Sequence, residues 1–399
     1  MDIHIASPIR LLIVESHPVQ YRTPVYERLE QLCPGALHVV FASDFSTRGG
    51  HDKGFNAEIS WDSNLLGGFP FTVLNYGLTR SPNGWKDLDG KGLSPLIRRL
   101  QPKAILLTSL NYRYDHIAYA LARRSGIPLW MRCETQDYAI RRSSVKSFMR
   151  SIYYRLLYSG ISMAFPIGEL NRQHWISHGM KPDRLSYAKY CTPNRVAVID
   201  HQERQGRRNI LRRSLGLCPE RLLVAFFGKL IPKKDPALLL DAVPMVFKPL
   251  LQRIALVFVG SGELQPELQR NASIIQALYG IPIFFPGFVN QMALVDWYLA
   301  ADVVVLPSIR AGETWGLVVN EALQAGCSVV ASEAVGCTAD FGGWERFRTI
   351  PVGSALHLAR ALGDLACYPR SFEWASEGLK AYSVEAAAQS LASAIANLD

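Results

Sequence analysis

Short apolar runs alternate with segments of helical periodicity from one end of the chain to the other, and this alternation constrains the fold more than any other feature. Apolar runs of about four to eight residues indicate strands that are buried on both faces of a parallel sheet. In the first half they are RLLIV, LHVVFA, AILLTS, IPLWMR and ISMAFPIG, and in the second half LLVAFFG, IALVFVG, IPIFFPG, DVVVLPS and CSVVAS. The pattern predicts an α/β protein built from two doubly wound halves.

Chain length and one polar segment predict where the halves separate. At 399 residues the chain is too long for one domain of ordinary size. Residues 201–221 are polar, basic and poor in aromatic residues, which is typical of a linker. We therefore expect an N-terminal domain at 1–200, a linker at 201–221, a C-terminal domain at 222–370 and C-terminal helices at 371–399. Ligands of open parallel sheets bind beyond the carboxyl ends of the strands, so the site is expected in the cleft between the domains.

The excess positive charge is confined to the first half of the chain. The formal net charge is +9, and residues 1–200 hold 25 Lys and Arg against 16 Asp and Glu, whereas residues 201–399 hold 18 of each. This asymmetry predicts an anionic partner for the first half. Because no recognition helix or aromatic-rich binding module accompanies the charge, we expect no nucleic-acid partner.

The cysteines and the hydropathy pattern limit the compartment. Seven scattered cysteines without a C-x-x-C pair argue against a disulfide framework or a zinc module and favour a reducing compartment. The histidines suggest no ligand spacing, and we expect no protein-bound metal. Since no uninterrupted apolar run approaches the ~18 residues of a membrane span, the sequence predicts a cytoplasmic protein that does not cross a membrane.

The segment PSIRAGETWGLVVNEALQAGCSVVAS carries the strongest chemical signal. Glu313 and Glu321 stand eight residues apart, after a predicted strand and around a helix that is expected to begin near Thr314 to Gly316. Helix N-termini bind phosphate, because their first amide groups have no intrahelical acceptor. The pair therefore suggests an elongated phosphorylated ligand, although an acidic helix start and an ordinary surface Glu remain the alternative.

The segment AFFGKLIPKKDPALLL is a second candidate for phosphate binding. Gly228 ends a predicted strand, and Lys229, Lys233 and Lys234 follow in the loop. Flexible ammonium groups at that position suit a diphosphate leaving group, but solvated loop lysines would show the same pattern. The turn at Gly260-Ser261-Gly262 is a weaker signal, and no P-loop motif is present.

Taken in order, GKLIPKK, VGSGELQPEL, FPGFVNQMALVDWYLAADVVVLPS and ETWGLVVNEALQAGCSVVAS resemble family 4 of the retaining, sugar-nucleotide-dependent glycosyltransferases. The variant pattern of the N-terminal half, with ESHPVQYRTPVY after the first strand and YCTPN at 190–194, resembles members of the bacterial surface-polysaccharide type. The resemblance to family 4 covers residues 222–340. It implies a GT-B fold: two Rossmann-like domains that face each other across a cleft, with the donor on the C-terminal domain and the acceptor facing the N-terminal one. It also implies that the last helix crosses back to the N-terminal domain and that no metal or separate cofactor is needed.

The resemblance also implies roles for individual residues. Lys229 and Lys234 would contact the donor diphosphate, Lys229 standing where the family usually has Arg. Glu313 would face the donor sugar, and Glu321 would bind the ribose hydroxyls. The other implied donor contacts are Gly228, Gly287, Phe288, Val289, Thr314, Trp315, Gly316 and Leu317.

The N-terminal half departs from the family pattern. Glu134 stands where many members carry a His, and it is a candidate to contact a sugar hydroxyl; a structural carboxylate paired to Arg132 or another base is the alternative. His17, Gln20 and Tyr112 follow predicted strands and are candidates for the acceptor side.

The segment YAIRRSSVKSFMRSIYYRLLYSG has five basic residues between Arg141 and Arg155 and no acidic one. A helix there would align Val145, Phe148, Ile152 and Leu156 in one apolar stripe. Such a helix either lies at an anionic membrane surface or packs on the sheet with a solvated basic edge.

Together these signals predict a retaining glycosyltransferase that moves a sugar from a nucleoside-diphosphate sugar to a hydroxyl of a polysaccharide, oligosaccharide or lipid-linked acceptor. The expected location is cytoplasmic, with a peripheral site at the inner face of the cell membrane as a further expectation. The alternatives are a GT-B sugar-nucleotide epimerase and a non-catalytic GT-B scaffold at a membrane assembly.

Overall fold

A computed structural model describes residues 9–52, 57–59, 64–77, 82 and 84–398. Two six-stranded sheets, all of whose strand pairs are parallel, confirm the prediction of an α/β fold with two doubly wound halves. The strands are β1 (Leu11–Glu15), β2 (Leu37–Ser43), β3 (Gly50–Asp52), β4 (Ala57–Ile59), β5 (Phe71–Asn75), β6 (Ala104–Leu107), β7 (Leu129–Met131), β8 (Met163–Ala164), β9 (Leu222–Phe227), β10 (Ile254–Val259), β11 (Ile283–Gly287), β12 (Val303–Leu306), β13 (Ser328–Ser332) and β14 (Phe347–Ile350).

Helices connect the strands. They are α1 (Thr23–Leu32), α2 (Leu93–Leu100), α3 (Arg113–Arg124), α4 (Ser144–Tyr158), α5 (Glu169–Ser177), α6 (His201–Ser214), α7 (Ala237–Ala242), α8 (Lys248–Leu251), α9 (Gln265–Tyr279), α10 (Gln291–Ala300), α11 (Leu317–Gln324), α12 (Thr338–Phe341), α13 (Ala355–Leu365), α14 (Ser376–Leu379) and α15 (Val384–Ala396). Within the described part of the chain, none of them has the length and apolarity to span a bilayer.

The two sheets share one strand order. The N-terminal sheet runs β5-β2-β1-β6-β7-β8, and the C-terminal sheet runs β11-β10-β9-β12-β13-β14. In each sheet the chain starts at a central strand, moves outward to one edge and returns to the other side, so the order reverses between β1 and β6 and again between β9 and β12. Ligands of doubly wound sheets bind at such a reversal, because the loops on its two sides diverge there and leave a crevice.

Each sheet contains an edge strand that the apolar pattern does not reveal. β5 and β14 lie at edges, and only Val73 in β5 and Phe347 and Ile350 in β14 are buried. The central strands, such as β1 and β10, are buried at every position. An edge strand has one neighbouring strand and one partly exposed face, so it tolerates polar residues, and its sequence then lacks the continuous apolar run of a central strand.

The polar segment expected to be a linker forms helix α6, which packs against the C-terminal domain. Arg208 and Arg212 are both buried, and both guanidinium groups contact the carboxylate of Asp302, at 2.5 and 3.0 Å. These arginines also donate to the backbone carbonyl of Ala300 at the end of α10. Two of the basic residues of this segment therefore serve buried hydrogen bonding and attach the helix to the C-terminal domain.

The last helix returns to the first domain. α15 packs along α1, and Ala388, Leu391 and Ile395 belong to the hydrophobic core of the N-terminal sheet. Ser383 caps the helix by accepting a hydrogen bond from the amide of Ala386 at 3.1 Å. The N-terminal core is thus completed by residues from the far end of the chain.

Candidate functional site

A cavity of about 790 Å³, partly open to solvent, lies between the two domains. Gln20, Tyr21, Thr192, Pro193 and Arg195 line it from the N-terminal side. The C-terminal side contributes the ends of β9 and β10, the residues that follow β11, helix α10 and the first two turns of α11. Among the lining residues are the predicted Gly228, Phe288, Val289, Leu317 and Glu321. The structure therefore brings five of the predicted donor-binding residues into one cavity.

Two polar atoms at this cavity have no hydrogen-bond partner among the described residues. They are Oε1 of Gln20 and Oγ1 of Thr192, which lie in the N-terminal wall. Thr192 is buried, with 4% of its surface exposed. Buried polar atoms are usually paired, so a water molecule or a polar group of a ligand in the cavity could complete the hydrogen bonding of both atoms.

Lys234 and Glu313 form an ion pair at the carboxyl ends of β9 and β12. Nζ of Lys234 lies 2.5 Å from Oε2 of Glu313, and both side chains are largely buried. Ser308 donates to the same carboxylate oxygen at 3.3 Å. The neighbouring Lys233 points elsewhere and donates to the carbonyl of Gly312 at 2.9 Å. Two of the four residues predicted to be catalytic, Lys234 and Glu313, thus lie in contact, and a third, Lys229, is half-buried one residue after Gly228.

Helix α11 begins one residue after Gly316, close to the start expected from the sequence. Gly316 has φ +98°, a left-handed conformation that glycine adopts without strain. A Cβ at this position would also lie 2.7 Å from the side chain of Val335. Leu317 and Val318 form the first turn of the helix, whose amides have no intrahelical acceptor, and both residues line the cavity.

The indole of Trp315 is buried and faces away from the cavity lining. Its Nε1 donates to Oδ1 of Asn320 at 2.8 Å, and the residue is 3% exposed. Trp315 therefore serves as a packing anchor for the loop, and only its backbone could contact a donor. Thr314 points across the cleft, where its hydroxyl donates to Oε2 of Glu134 at 3.0 Å.

Glu134 lies at the centre of a hydrogen-bond network on the N-terminal side. Its Oε1 accepts from Nη2 of Arg22 at 2.9 Å, from Tyr21 at 3.1 Å and from the hydroxyl of Tyr190. The base that pairs with it is therefore Arg22 and not Arg132, which donates to the carbonyl of Ala188 instead. The sequence interval of 112 residues between Arg22 and Glu134 gave no signal for this pairing.

Arg22 joins Glu134 to a second, fully buried carboxylate. Its Nη1 lies 3.0 Å from Oε2 of Glu15, which is 1% exposed. Thr108 donates to Glu15 at 2.8 Å, and the hydroxyl of Tyr26 donates to its other oxygen. The network spans the carboxyl ends of β1, β6 and β7 and fixes the position of Glu134.

Electrostatics keep Glu134 ionised. Burial alone would raise the pKa of its carboxyl group, but the charge of Arg22 and the hydrogen bonds from Tyr190, Arg22 and Thr314 lower the pKa below its usual value. In contrast, burial raises the pKa of Glu321, despite the hydrogen bond that Tyr298 donates to it at 2.7 Å. Glu134 is thus a stable carboxylate and a weak base.

A second cavity, of about 840 Å³ and also partly open, adjoins the first on the N-terminal side. It brings together His17, Gln20 and Tyr112, the three residues predicted for the acceptor side, and Gln20 also lines the first cavity. His17 packs against Phe45 and contacts Ser16 through Nδ1 at 2.9 Å. Burial and the charge of Arg22 lower the pKa of His17 to about 4, so its imidazole is neutral at physiological pH.

One histidine pair escaped the sequence reasoning. His174 and His178 stand four residues apart at the end of α5, a spacing that places both rings on one side of a helix, and both contact Asp137 at 2.9 and 3.1 Å. The three side chains offer donor atoms within 4.8 Å of one another. Each contact is also satisfied as a hydrogen bond, with Nε2 of His174 paired to Tyr158 at 2.9 Å, so the cluster already has a structural role without a cation.

Comparisons with known proteins support the fold of the whole chain and the family resemblance of its C-terminal domain. The profile of the family described as Glycosyl transferases group 1 matches residues 207–362. An uncharacterized glycosyltransferase of Methanocaldococcus jannaschii is 34% identical over 125 residues, which are 31% of this chain and 30% of the relative. A D-inositol 3-phosphate glycosyltransferase of Streptomyces bingchenggensis is 33% identical over 165 residues, which are 40% of this chain and 36% of the relative. The matches thus span about a third of the relatives' own length.

Similarity over the whole chain comes from solved structures. HepE from Anabaena, crystallised with UDP and glucose, superposes with a TM-score of 0.64 over 98% of this chain and 100% of its own, at 16% sequence identity. Such low identity establishes the fold alone. The chain therefore has a GT-B fold, and its residues 207–362 match the glycosyl transferases group 1 family.

Proposed function

We propose that the chain is a retaining glycosyltransferase that moves a sugar from a nucleoside-diphosphate sugar to a hydroxyl of a polysaccharide, oligosaccharide or lipid-linked acceptor. The observation that carries the proposal is the cavity between the two sheets. It lies between the two domains and is lined by five of the predicted donor residues, while the Lys234–Glu313 pair lies in the loops that follow β9 and β12, the two strands at the reversal of the C-terminal sheet. In support, the family of the C-terminal part consists of glycosyl transferases, and HepE was crystallised with UDP-glucose.

The cavity offers a separate environment for each part of such a donor. Phe288, Val289 and Leu294 provide an apolar surface for the base, and the carboxylate of Glu321 accepts hydrogen bonds from the ribose hydroxyls. The diphosphate would lie against Gly228, between Lys229 and Lys234 and the first turn of α11. Two cations and a helix N-terminus stabilise the charge that develops on the diphosphate as the glycosidic bond breaks.

The same arrangement suggests how the reaction retains configuration. In the proposed step the bond between the anomeric carbon and the phosphate oxygen breaks, the acceptor oxygen bonds to the same face of the sugar, and the acceptor proton passes to the departing phosphate. Glu134 is a weak base because Arg22, Tyr190 and Thr314 stabilise its ionised form. A sugar hydroxyl could donate to Glu134, which would thereby orient the sugar without removing a proton.

The acceptor would enter through the second cavity, past His17 and Tyr112. Gln20, whose amide oxygen has no hydrogen-bond partner in the described part of the chain, lines both cavities and could accept a hydrogen bond from either substrate. A cytoplasmic location at the inner face of the cell membrane would suit a lipid-linked acceptor and belongs to the proposal as well. No metal or separate cofactor is part of the proposed reaction.

The test begins with thermal shifts of the full chain across UDP-, GDP-, ADP- and dTDP-sugars. A donor at 100 times its dissociation constant should stabilise the protein by about 2.7 kcal/mol. Transfer from the best donor to sugar and lipid-linked acceptors is then followed by mass spectrometry. Incubation with the donor alone separates transfer from epimerisation, because an epimerase would change the free sugar nucleotide without an acceptor.

Lys234→Ala should lower the transfer rate by at least about 100-fold, because it removes a cation that stabilises the negative charge developing on the diphosphate. Glu313→Gln should have an effect of similar size, because it removes the carboxylate that holds Lys234 and that faces the positive charge developing on the donor sugar. Lys248→Ala, which removes an exposed lysine from α8, is the matched control and should retain wild-type activity. Circular dichroism and thermal melting confirm that each variant is folded. Full transfer activity in Lys234→Ala or Glu313→Gln would contradict the assignment of the site, and the absence of a shift with every sugar nucleotide would contradict the proposed function.

A further inference from the structure

Helix α4 exposes an apolar face that the sheet does not cover. Val145, Phe148, Met149 and Leu156 have 66 to 71% of their surface exposed, and Ile152 and Tyr153 are 46% and 45% exposed. The expected alternative, a helix whose stripe packs on the sheet, is therefore wrong for this face. With 100° between successive residues, the six side chains form one stripe about 140° wide. Exposed apolar patches of this kind mark interaction sites.

The opposite face of α4 attaches the helix to the domain. Tyr158 is buried and stacks on Trp175 at a centroid distance of 4.1 Å, and Tyr154 contacts the ring of His174 at 4.8 Å. Arg150 lies over the ring of Tyr154 and 3.8 Å from Asp137. The exposed stripe is thus held rigidly outward by the packing behind it.

The exposed charged side chains of the segment from Arg141 to Arg155 are all positive. Lys146 and Arg155 flank the stripe on its two sides, and Arg141 precedes the helix. The other two cations of the segment turn inward, since Arg142 donates to the carbonyls of Asp137 and Ile140 and Arg150 faces Asp137. From Arg141 to Arg155 the chain contains no acidic residue. The surface therefore combines an apolar strip with a cationic border.

We propose that this face of α4 docks on the surface of an anionic lipid bilayer. The apolar strip would enter the boundary between head groups and acyl chains, while Lys146, Arg155 and Arg141 would contact lipid phosphates. The charge of the segment favours an anionic membrane over a second copy of the chain as the partner. Two copies that met through α4 would bring the cations of one segment against those of the other, with no carboxylate from either segment between them. The docking does not depend on the proposed enzymatic function, so the two can fail separately.

The test is cosedimentation of the full chain with vesicles of phosphatidylcholine alone or with 30% phosphatidylglycerol. Binding should require the anionic lipid and weaken with added salt. Lys146→Glu combined with Arg155→Glu should lower the partition coefficient by about 25-fold or more, since each interfacial cation contributes about fivefold. Phe148→Ser, Ile152→Ser and Leu156→Ser together should abolish binding at low and high salt.

The matched control replaces exposed apolar residues on a helix without the cationic border. Ile274 and Leu278 of α9 are 58% and 68% exposed, and Ile274→Ser with Leu278→Ser should bind vesicles like the wild type. All variants change exposed side chains, and unaltered thermal melting verifies that they fold. The proposal is overturned if anionic vesicles do not sediment the protein, if the α4 variants bind as tightly as the control, or if sedimentation velocity shows a dimer that the α4 variants disrupt.

Discussion

Replacing Arg22 by Met should destabilise the N-terminal domain, because Arg22 is the only cation that bridges Glu15 and Glu134 among the contacts described for these two carboxylates. Met retains much of the length of the side chain and removes its charge. Arg22 is 8% exposed and Glu15 is 1% exposed, so water cannot replace the lost partner of Glu15. Removing one member of a buried ion pair typically costs about 3–5 kcal/mol.

The structure places Arg22→Met at the lower end of that range. Glu15 keeps the hydroxyl donors Tyr26 and Thr108, and the side chain of Glu134 is 32% exposed and can regain water. We therefore expect a loss of about 3 kcal/mol. For a domain of about 200 residues this corresponds to a decrease of roughly 6–12 °C in the melting temperature.

The dependence on pH provides a sharper test than the loss itself. Arg22 helps to lower the pKa of Glu134, so the folded variant binds more protons than the folded wild type as the pH falls. Proton uptake by the folded variant stabilises it relative to the wild type, and the difference in unfolding free energy should therefore narrow from pH 7 to pH 5.

Urea unfolding followed by fluorescence at several pH values measures both quantities. Arg207→Met is the control, because the Arg207–Glu203 pair joins two exposed side chains on one helix and should contribute less than about 1 kcal/mol. If Arg22→Met costs no more than Arg207→Met, or if its cost grows as the pH falls, the buried network does not act as described.

Two further changes test the geometry of the cleft. Gly260→Ala should destabilise the C-terminal domain by about 1–3 kcal/mol and weaken donor binding, because φ of Gly260 is +140° and a Cβ would lie 2.0 Å from the carbonyl oxygen of Gly228. Thermal melting measures the loss of stability and donor titration measures the affinity. An unchanged melting temperature and affinity would contradict the close approach of the two loops. The pKa of His17 is lowered to about 4 in the folded protein, so between pH 6.5 and 4 the unfolded chain binds a proton at His17 before the folded chain does. This difference lowers the free energy of unfolding by up to about 1.4 kcal/mol per pH unit as the pH falls. His17→Gln should remove this contribution, so the variant should lose less stability than the wild type over that pH range. If the free energy of unfolding of wild type and variant decreases equally between pH 6.5 and 4, the pKa of His17 is not lowered in the folded protein.

Local patterns in the sequence were sufficient to predict the sheet fold and to identify much of the cleft. Fully apolar strands such as β1 and β10 are recognisable because both of their faces are buried. Gly228 directly follows such a strand, and Lys234 and Glu313 lie in the loops after β9 and β12. The strand ends place these residues at the cleft without any knowledge of the tertiary contacts.

Features that depend on distant contacts could not be predicted in this way. Arg22 meets Glu134 only after the sheet has brought β1 and β7 together, and the arginines of α6 look like linker residues until Asp302 is placed beside them. The edge strand β5 has too few buried apolar residues to be recognised as a strand from the sequence. The exposure of α4 also depends on tertiary structure, because periodicity identifies the stripe but not the face that remains uncovered. The pair His174 and His178, in contrast, was visible in the sequence by its spacing and was overlooked.

The return of α15 to the first domain affects the order in which the protein can fold during synthesis. Arg10 donates to the carbonyl of Leu398, 388 residues away, and Ala388, Leu391 and Ile395 fill part of the first core. During synthesis, α1 therefore remains uncovered until α15 has also left the ribosome. The C-terminal sheet has no such dependence on α15, so it can form its own core first and the domain made earliest can be the last to become complete.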